Sequence, residues 1–146
     1  MKGNSYQPLV LVIDDSNTNV VLLDAILNDK GIRVKTALNV MEAEQIMENE
    51  LPDLILLDLL MPKINGYDFL KKLKSDPQKK NIPVIIVTAV SDQENLQHTL
   101  ELGAISYFVK PIDIQELIQQ TQQKTCQMMT LNGSDLRKFE EPVGPC

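Results

Sequence analysis

The chain has 146 residues and a formal net charge of −6 at neutral pH, with 43% hydrophobic and 23% charged residues. This length suits about one domain, and the apolar fraction is too high for an intrinsically disordered chain. The acidic balance argues against a domain that binds a nucleic acid backbone by itself, and no apolar run is long enough to cross a bilayer. Because the first residues also lack a signal-peptide pattern, we expect a cytoplasmic protein that contacts neither nucleic acid nor membrane.

The first part of the chain predicts two strands, each followed by a helix. Leu9–Ile13 is short and rich in branched aliphatic residues, which is typical of a strand buried on both faces. Ser16 is a good N-cap for the helix that follows, and Gly31 is a good residue to end it. Ile32–Ala37 is the second predicted strand, and Asn39 can cap the second helix.

The third unit begins with the apolar run Leu54–Leu57, which predicts a buried strand. A loop containing Pro62 and Gly66 follows, and the third helix stops near Asp76–Pro77. The inward-facing positions predicted for the first three helices are Val20, Leu23, Ile26 and Leu27, then Ala43, Ile46 and Met47, then Phe69, Leu70 and Leu73.

The same pattern continues in the second half. Pro83–Val87 is the fourth predicted strand, and Ser91–Glu94 has the spacing of a capping box for a helix that Gly103 ends. Ile105–Val109 is the fifth strand, and Asp113–Glu116 opens a fifth helix. The inward positions of that helix are Ile114, Leu117, Ile118 and Thr121. Five strand–helix units predict an α/β fold, with a doubly wound five-stranded parallel sheet and helices on both faces.

We place the domain at residues 9–125, after an N-terminal tail of residues 1–8. Residues 126–146 form a C-terminal helix extension, expected to continue through Met128, and a tail from roughly Thr130. This segment is too short to fold into a DNA-binding or catalytic domain. It contains Cys126 and Cys146, which we expect to be reduced thiols, because a chain with one histidine cannot complete a usual zinc site with them.

Polar residues follow the predicted strands at the point where each strand ends. Asp14 and Asp15 follow the first strand, Asp58 the third, Thr88 the fourth and Lys110 the fifth. The carboxyl ends of parallel strands share one edge of the sheet, so these side chains are expected to converge there. In the order 2-1-3-4-5 the strand order reverses between the first and third strands, which places the three carboxylates around one crevice.

Three carboxylates this close together repel one another unless a cation compensates their charge. One like-charge pair at ~4 Å costs about 4 kcal/mol at an effective dielectric constant of ~20. Because oxygen ligands suit hard divalent cations, the sequence predicts a site for Mg²⁺ (or Mn²⁺). Lys110 adds a cation and Thr88 a hydroxyl, which are the groups that stabilise a phosphoryl group during transfer. A carboxylate is already a competent nucleophile, so the predicted site is suited to forming an aspartyl phosphate.

Four stretches, in this order, resemble the receiver domain of two-component response regulators. They are LVLVIDD (9–15), LILLDLLMPKINGYDFL (54–70), PVIIVTA (83–89) and GAISYFVKP (103–111). The resemblance covers residues 8 to about 125 and implies a flavodoxin-like sheet with strand order 2-1-3-4-5. It also implies a phosphoacceptor signalling domain, which is not an enzyme beyond catalysing its own phosphorylation and slow dephosphorylation.

The resemblance implies a role for each residue of the site. Asp58 accepts a phosphoryl group from a sensor histidine kinase or a phosphotransfer protein. Asp15, Asp58 and the backbone carbonyl of Leu60 bind Mg²⁺ directly, and Asp14 acts mostly through water. Lys110 pairs with a phosphoryl oxygen.

The resemblance also implies a conformational switch. Thr88 hydrogen-bonds a phosphoryl oxygen and Tyr107 fills the space that Thr88 vacates; plain core packing is the alternative role for Tyr107. The bond before Pro111 lies where the family tends to have a cis peptide. Leu60 and Val90 flank the approach of an attacking water, and both are apolar. We therefore expect the aspartyl phosphate to hydrolyse more slowly than in Leu60→Asn or Val90→Glu variants.

Two other classes of protein were weighed. A haloacid-dehalogenase-like phosphatase places its nucleophile after the first strand in a D-x-D arrangement, whereas this chain has Asp14-Asp15-Ser16. A flavodoxin needs a glycine-rich phosphate loop there and aromatic residues against the flavin, whereas SNTNV has no glycine and the chain has no Trp. Within the receiver interpretation, the chain is single-domain or excised from a longer regulator or hybrid histidine kinase. A homodimer through the fourth helix, fifth strand and fifth helix is one arrangement that the resemblance allows, and His98 is expected to be exposed.

Overall fold

The computed structural model describes residues 7–61, 64–89, 91–110 and 113–132, with the side chains of Met61, Ile64 and residues 125–132 excepted. The strands are β1 (Leu9–Ile13), β2 (Arg33–Ala37), β3 (Leu54–Leu57), β4 (Leu60–Met61), β5 (Ile64–Asn65), β6 (Val84–Thr88) and β7 (Ser106–Val109). The helices are α1 (Asn17–Asp29), α2 (Val40–Asn49), α3 (Gly66–Ser75), α4 (Gln93–Glu101) and α5 (Ile114–Asn132).

Five parallel strands form the main sheet in the order β2-β1-β3-β6-β7. This is the predicted order 2-1-3-4-5, and the predicted flavodoxin-like fold is confirmed. Every residue of β1, β3 and β6 is buried, since helices cover both faces of these central strands. The edge strands β2 and β7 are partly exposed.

Two helical layers bury the sheet, one on each face. On one face, α1 and α5 contribute Val20, Leu23, Leu27 and Leu117 to the core. On the other, α2 and α3 contribute Val40, Ala43, Met47, Phe69, Leu70 and Leu73, with Leu100 of α4 packed against them. Burying each such aliphatic side chain stabilises the fold by roughly 1.5–3 kcal/mol.

The helix starts follow the predicted caps with one correction. Ser16 Oγ accepts from the N–H of Asn19 at 3.3 Å, and Asn39 caps α2. The predicted capping box at Ser91–Glu94 is wrong by one residue, because the N-cap of α4 is Asp92. The Asp92 carboxylate accepts from the N–H of Glu94 at 3.0 Å. Asp92 thus accepts the hydrogen bond that was expected to go to the Ser91 side chain.

The segment between β3 and α3 differs from the predicted loop. β4 and β5 are strands of two residues each that pair in antiparallel orientation, with Leu60 opposite Asn65. Gly66, predicted to lie in the loop, is the first residue of α3, because the Asn65 side chain accepts from the N–H of Tyr67 at 2.8 Å and caps the helix. The fifth strand of the main sheet starts at Ser106, and Ile105 is exposed.

The C-terminal helix is longer than predicted. It runs through Asn132, whereas the tail was expected to begin at about Thr130. The side chain of Cys126 and all of residues 133–146, including Cys146, lie outside the described residues. Among the residues that are described, no helix is both long and apolar enough to cross a membrane.

Candidate functional site

The backbone of the sheet fixes two acidic residues at one edge. Asp14 and Asp58 directly follow β1 and β3, which are parallel neighbours. The N–H of Asp58 donates to the carbonyl oxygen of Ile13 at 2.9 Å, and the N–H of Asp14 donates to that of Ala37 at 3.1 Å. The two carboxylates therefore leave the sheet side by side, at the point where the strand order reverses.

Lys110 joins these two carboxylates. Its N–H donates to the carbonyl oxygen of Thr88 at 2.8 Å, which holds the end of β7 beside the end of β6. Its Nζ lies 3.0 Å from Asp14 Oδ2 and 3.3 Å from Asp58 Oδ2. Asp14 and Asp58 are only 3% and 4% exposed, so this ammonium neutralises charge that water barely reaches.

Asp15 completes an acidic cluster. Its side chain is exposed, and one carboxylate oxygen each from Asp14, Asp15 and Asp58 lie within 4.8 Å of one another. Three oxygen donors at this spacing suit a hard divalent cation such as Mg²⁺. The pocket can therefore bind a divalent metal.

Further donors hold the carboxylates in place. Asp14 accepts from the N–H of Ser16 at 2.9 Å and from Asn19 Nδ2 at 3.2 Å, and Asp58 Oδ1 accepts from the N–H of Leu60 at 3.0 Å. Asn19 was not among the predicted site residues. Its position in the first turn of α1, directly after the acidic pair, was the available signal.

The electrostatics of the cluster favour an added cation. Burial raises the pKa of the Asp58 carboxyl above its usual range, and the charge of Asp14 raises it further, against the opposing effects of Leu60 N–H and Lys110. Burial alone lowers the pKa of Lys110, but the hydrogen bond to Asp14 and the charges of both carboxylates outweigh it and raise that pKa. One ammonium thus stays charged among three acidic groups, and negative charge remains uncompensated.

Thr88 and Tyr107, the residues of the predicted switch, lie on the neighbouring strands β6 and β7. Thr88, the last residue of β6, is fully buried and pairs in register with Val109. Tyr107 pairs in register with Ile86 and packs, half-buried, against the core cluster on the face of the sheet that α2 and α3 cover. The structure thus places Tyr107 in core packing, and movement of either side chain stays a prediction.

The remaining predicted residues divide into described and undescribed ones. Leu60 is 54% exposed beside Asp58, and the role of its carbonyl as a metal ligand stays a prediction. Val90 and Pro111 lie outside the described residues, and so does the predicted cis peptide. His98 is exposed, as predicted.

Fold and site together define a doubly wound α/β protein with an acidic pocket, joined by Lys110, at its strand-order reversal. Residues 10–122 match the family model of the response regulator receiver domain. The chain is 40% identical over 104 residues to Response regulator PleD of Caulobacter vibrioides, which is 71% of this chain and 23% of that protein. It is 38% identical over 108 residues to Sporulation initiation phosphotransferase F of Bacillus subtilis, which is 74% of this chain and 86% of that protein.

Solved structures agree with these relatives. The receiver domain of Francisella response regulator 1452 superposes with a TM-score of 0.77 at 31% identity, covering 84% of this chain and 99% of that one. The signal receiver domain of a signal transduction histidine kinase from Syntrophus aciditrophicus gives a TM-score of 0.74 at 29% identity, covering 93% and 97%.

The chain belongs to the response regulator receiver domain family of two-component systems. Receiver domains are signalling modules. The matched part is less than a quarter of PleD but most of the sporulation phosphotransferase.

Proposed function

We propose that this chain accepts a phosphoryl group on Asp58 from a phosphohistidine of a sensor histidine kinase or phosphotransfer protein, in a Mg²⁺-dependent reaction. The observation that carries this proposal is the buried Asp58 carboxylate, 3.3 Å from Lys110 Nζ and grouped with Asp14 and Asp15. A family member with this group of side chains has a nucleophile, a fixed cation and oxygen donors for a metal in one pocket.

The transfer is a substitution at phosphorus. A carboxylate oxygen of Asp58 forms the new bond while the bond from phosphorus to the imidazole nitrogen breaks, and the imidazole leaves with the bonding electron pair. Lys110 Nζ compensates the charge on the phosphoryl oxygens, and Thr88 donates its hydroxyl to one of them. Asp15, Asp58 and the Leu60 carbonyl would hold Mg²⁺ directly, with Asp14 acting through water. The metal supplies positive charge to the transferring group.

The product acts as a signal because it changes the charge and contacts of a buried residue. Thr88 moves toward the phosphoryl group, Tyr107 turns inward behind it, and the surface formed by α4, β7 and α5 changes with them. We propose this surface as the homodimer interface. We further propose that the chain acts in the cytoplasm through protein contacts, with no chemistry beyond its own phosphorylation and dephosphorylation.

Labelling with acetyl phosphate tests this proposal. The purified chain is incubated with acetyl phosphate and Mg²⁺ or with EDTA, and intact mass spectrometry follows the gain of one phosphoryl group. We expect labelling only with Mg²⁺, none in Asp58→Asn, and normal labelling in Asp68→Asn, which removes an exposed carboxylate of α3.

Other outcomes would contradict it. Rapid turnover of acetyl phosphate to inorganic phosphate without a persistent adduct favours the haloacid-dehalogenase-like phosphatase. A yellow purified protein that does not label favours the flavodoxin-like alternative. Labelling that survives in Asp58→Asn would place the nucleophile elsewhere.

A further inference from the structure

The first turn of α3 touches the main chain that carries Asp58. Gly66 is buried, and its N–H donates to the carbonyl oxygen of Leu59 at 3.3 Å. A Cβ atom at Gly66 would lie 2.6 Å from Leu59 Cα and 3.1 Å from the carbonyl oxygen of Asp58. Because no side chain separates these two stretches of backbone, a shift of residues 58 and 59 displaces the start of α3 directly.

Tyr67 connects the start of α3 with α4. Its N–H donates to the Asn65 side chain at 2.8 Å, which fixes its backbone in the helix cap. Its ring packs on the ring of His98, with centroids 5.7 Å apart and planes inclined by 35°. Burial raises the pKa of Tyr67, and the charge of Asp92, the N-cap of α4, raises it further. Tyr67 therefore contacts the middle of α4 through His98 and lies within the electrostatic range of its N-cap.

The helix that Tyr67 touches has few other anchors. Leu96 and Thr99 are the buried residues of the nine in α4. α3, by comparison, buries Gly66, Phe69, Leu70 and Leu73. Leu100 also packs, partly buried, against the core. An element with few buried contacts is displaced at a low free-energy cost, so the contact between Tyr67 and His98 adds to a small set of contacts that position α4.

We propose that the Tyr67–His98 contact transmits the state of Asp58 to α4, separately from Thr88 and Tyr107. The inference rests on the proposed function of Asp58. A phosphoryl group there replaces the contacts of its carboxylate with Lys110 and the Leu60 N–H, which moves the adjoining backbone. Gly66 passes this movement to Tyr67, and Tyr67 shifts α4 through His98.

The surface that responds is the polar outer face of α4. This face is an open, shallow surface formed by Gln93, Glu94, Gln97, His98 and Glu101. His98 Nδ1 also lies 3.7 Å from Glu101 Oε1, so a shift of the imidazole rearranges the charged end of this face. The outer face of α4 thereby becomes dependent on phosphorylation.

Hydrogen exchange with a phosphoryl mimic tests the inference on the full chain. Beryllofluoride and Mg²⁺ are added to the wild type, His98→Ala, His98→Phe and the neighbouring control Gln97→Ala, and amide exchange is followed in Gln93–Glu101. We expect beryllofluoride to change amide exchange in α4 by about fivefold or more in the wild type and in Gln97→Ala. The same change is expected in His98→Phe, because this variant keeps an aromatic ring at position 98. His98→Ala is expected to lose most of that change while amides at the end of β6 still respond.

The variants separate this inference from the proposed function. His98 is half-exposed, so its replacement leaves the fold intact, which thermal melting checks. Acetyl phosphate labelling of Asp58 in His98→Ala should stay within about twofold of wild type, since the imidazole does not touch the site. A wild-type response of α4 in His98→Ala, or loss of the response in His98→Phe, would overturn the ring contact as the link. Absence of any beryllofluoride response in the wild type would overturn the proposed function and this inference with it.

Discussion

At the residue scale, Leu60 is the exposed neighbour of the proposed phosphoacceptor Asp58. Its side chain is 54% exposed at the rim of the pocket, two residues after the acceptor. An aliphatic side chain there can neither orient a water molecule nor accept its proton. We therefore expect the side chain of Leu60 to influence how long the phosphorylated state lasts, whereas its main chain contacts Asp58 through the N–H.

Replacing Leu60 with Asn is expected to speed dephosphorylation about tenfold, because an amide can hydrogen-bond the attacking water. The measurement is the decay of the phosphorylated protein after the phosphodonor is removed. Leu51→Asn, which changes an exposed leucine at the opposite edge of the sheet, is the matched control. Equal or slower decay in Leu60→Asn would contradict the expectation, and Val90→Glu extends the same test.

The ionisation of Asp58 also sets a stability that depends on pH. Burial beside Asp14 raises the pKa of Asp58 above its unfolded value of 3.8. Its contribution to stability is therefore fully present below that value and is lost as the pH rises through the folded pKa. At neutral pH without a metal, ionised Asp58 destabilises the folded state.

Asp58→Asn is accordingly expected to raise the free energy of unfolding in EDTA at neutral pH, by about 1–2 kcal/mol. The advantage should shrink as the pH falls through the folded pKa, because protonated Asp58 and Asn are then alike in charge. Urea unfolding at several pH values measures the difference. A wild type more stable than Asp58→Asn at neutral pH in EDTA would show that Lys110 outweighs burial.

At the scale of single elements, local patterns predicted most strands and caps because each depends on a few neighbouring residues. Ser16 and Asn39 cap their helices through hydrogen bonds three residues away. The pair β4–β5 was not predicted, since two-residue strands have no periodicity to detect. Ser91 and Asp92 are both good N-caps, so the sequence alone did not decide between them.

The coupling between the start of α3 and the site can be tested by replacing Gly66, with Gly31 as the control glycine. Gly66→Ala puts a Cβ 2.6 Å from Leu59 Cα, which forces backbone to move and should cost about 1–3 kcal/mol of stability. Because that backbone carries Asp58, acetyl phosphate labelling should slow as well. Gly31→Ala, at φ +81 with nothing nearby, should cost about 1 kcal/mol or more and leave labelling unchanged. Normal labelling in Gly66→Ala would contradict the coupling of α3 to the site.

At the scale of the whole molecule, the site is assembled from residues that the sequence separates widely. The acidic cluster and Lys110 could be predicted because parallel strands place their ends at one edge, whatever their separation along the chain. The contact of Tyr67 with His98 could not, because it depends on how α3 and α4 pack and not on strand order. The contact of Asn19 with Asp14 is local to the turn between β1 and α1, and the position of Asn19 after the acidic pair was its signal.

A metal bound by folded but not unfolded chains stabilises the whole molecule. Mg²⁺ at about 100 times its dissociation constant should raise the free energy of unfolding by about 2.7 kcal/mol, and Asp15→Asn should lose most of this gain. Thermal melting with and without Mg²⁺ measures it. Asp24→Asn, on α1 away from the cluster, is the control. An equal gain in the free energy of unfolding in Asp15→Asn would show that the ion binds elsewhere.

The bond from Lys110 to both buried carboxylates has a consequence for the sequence of events. Among the described residues of this crevice, three acidic groups face the Lys110 ammonium, so without a metal they carry an excess of negative charge, which repels an anion that approaches. On the proposed function, an anionic phosphodonor meets less repulsion once a dication is bound. We therefore expect the cation to bind before the donor, so that the rate of phosphorylation rises with the ambient metal concentration.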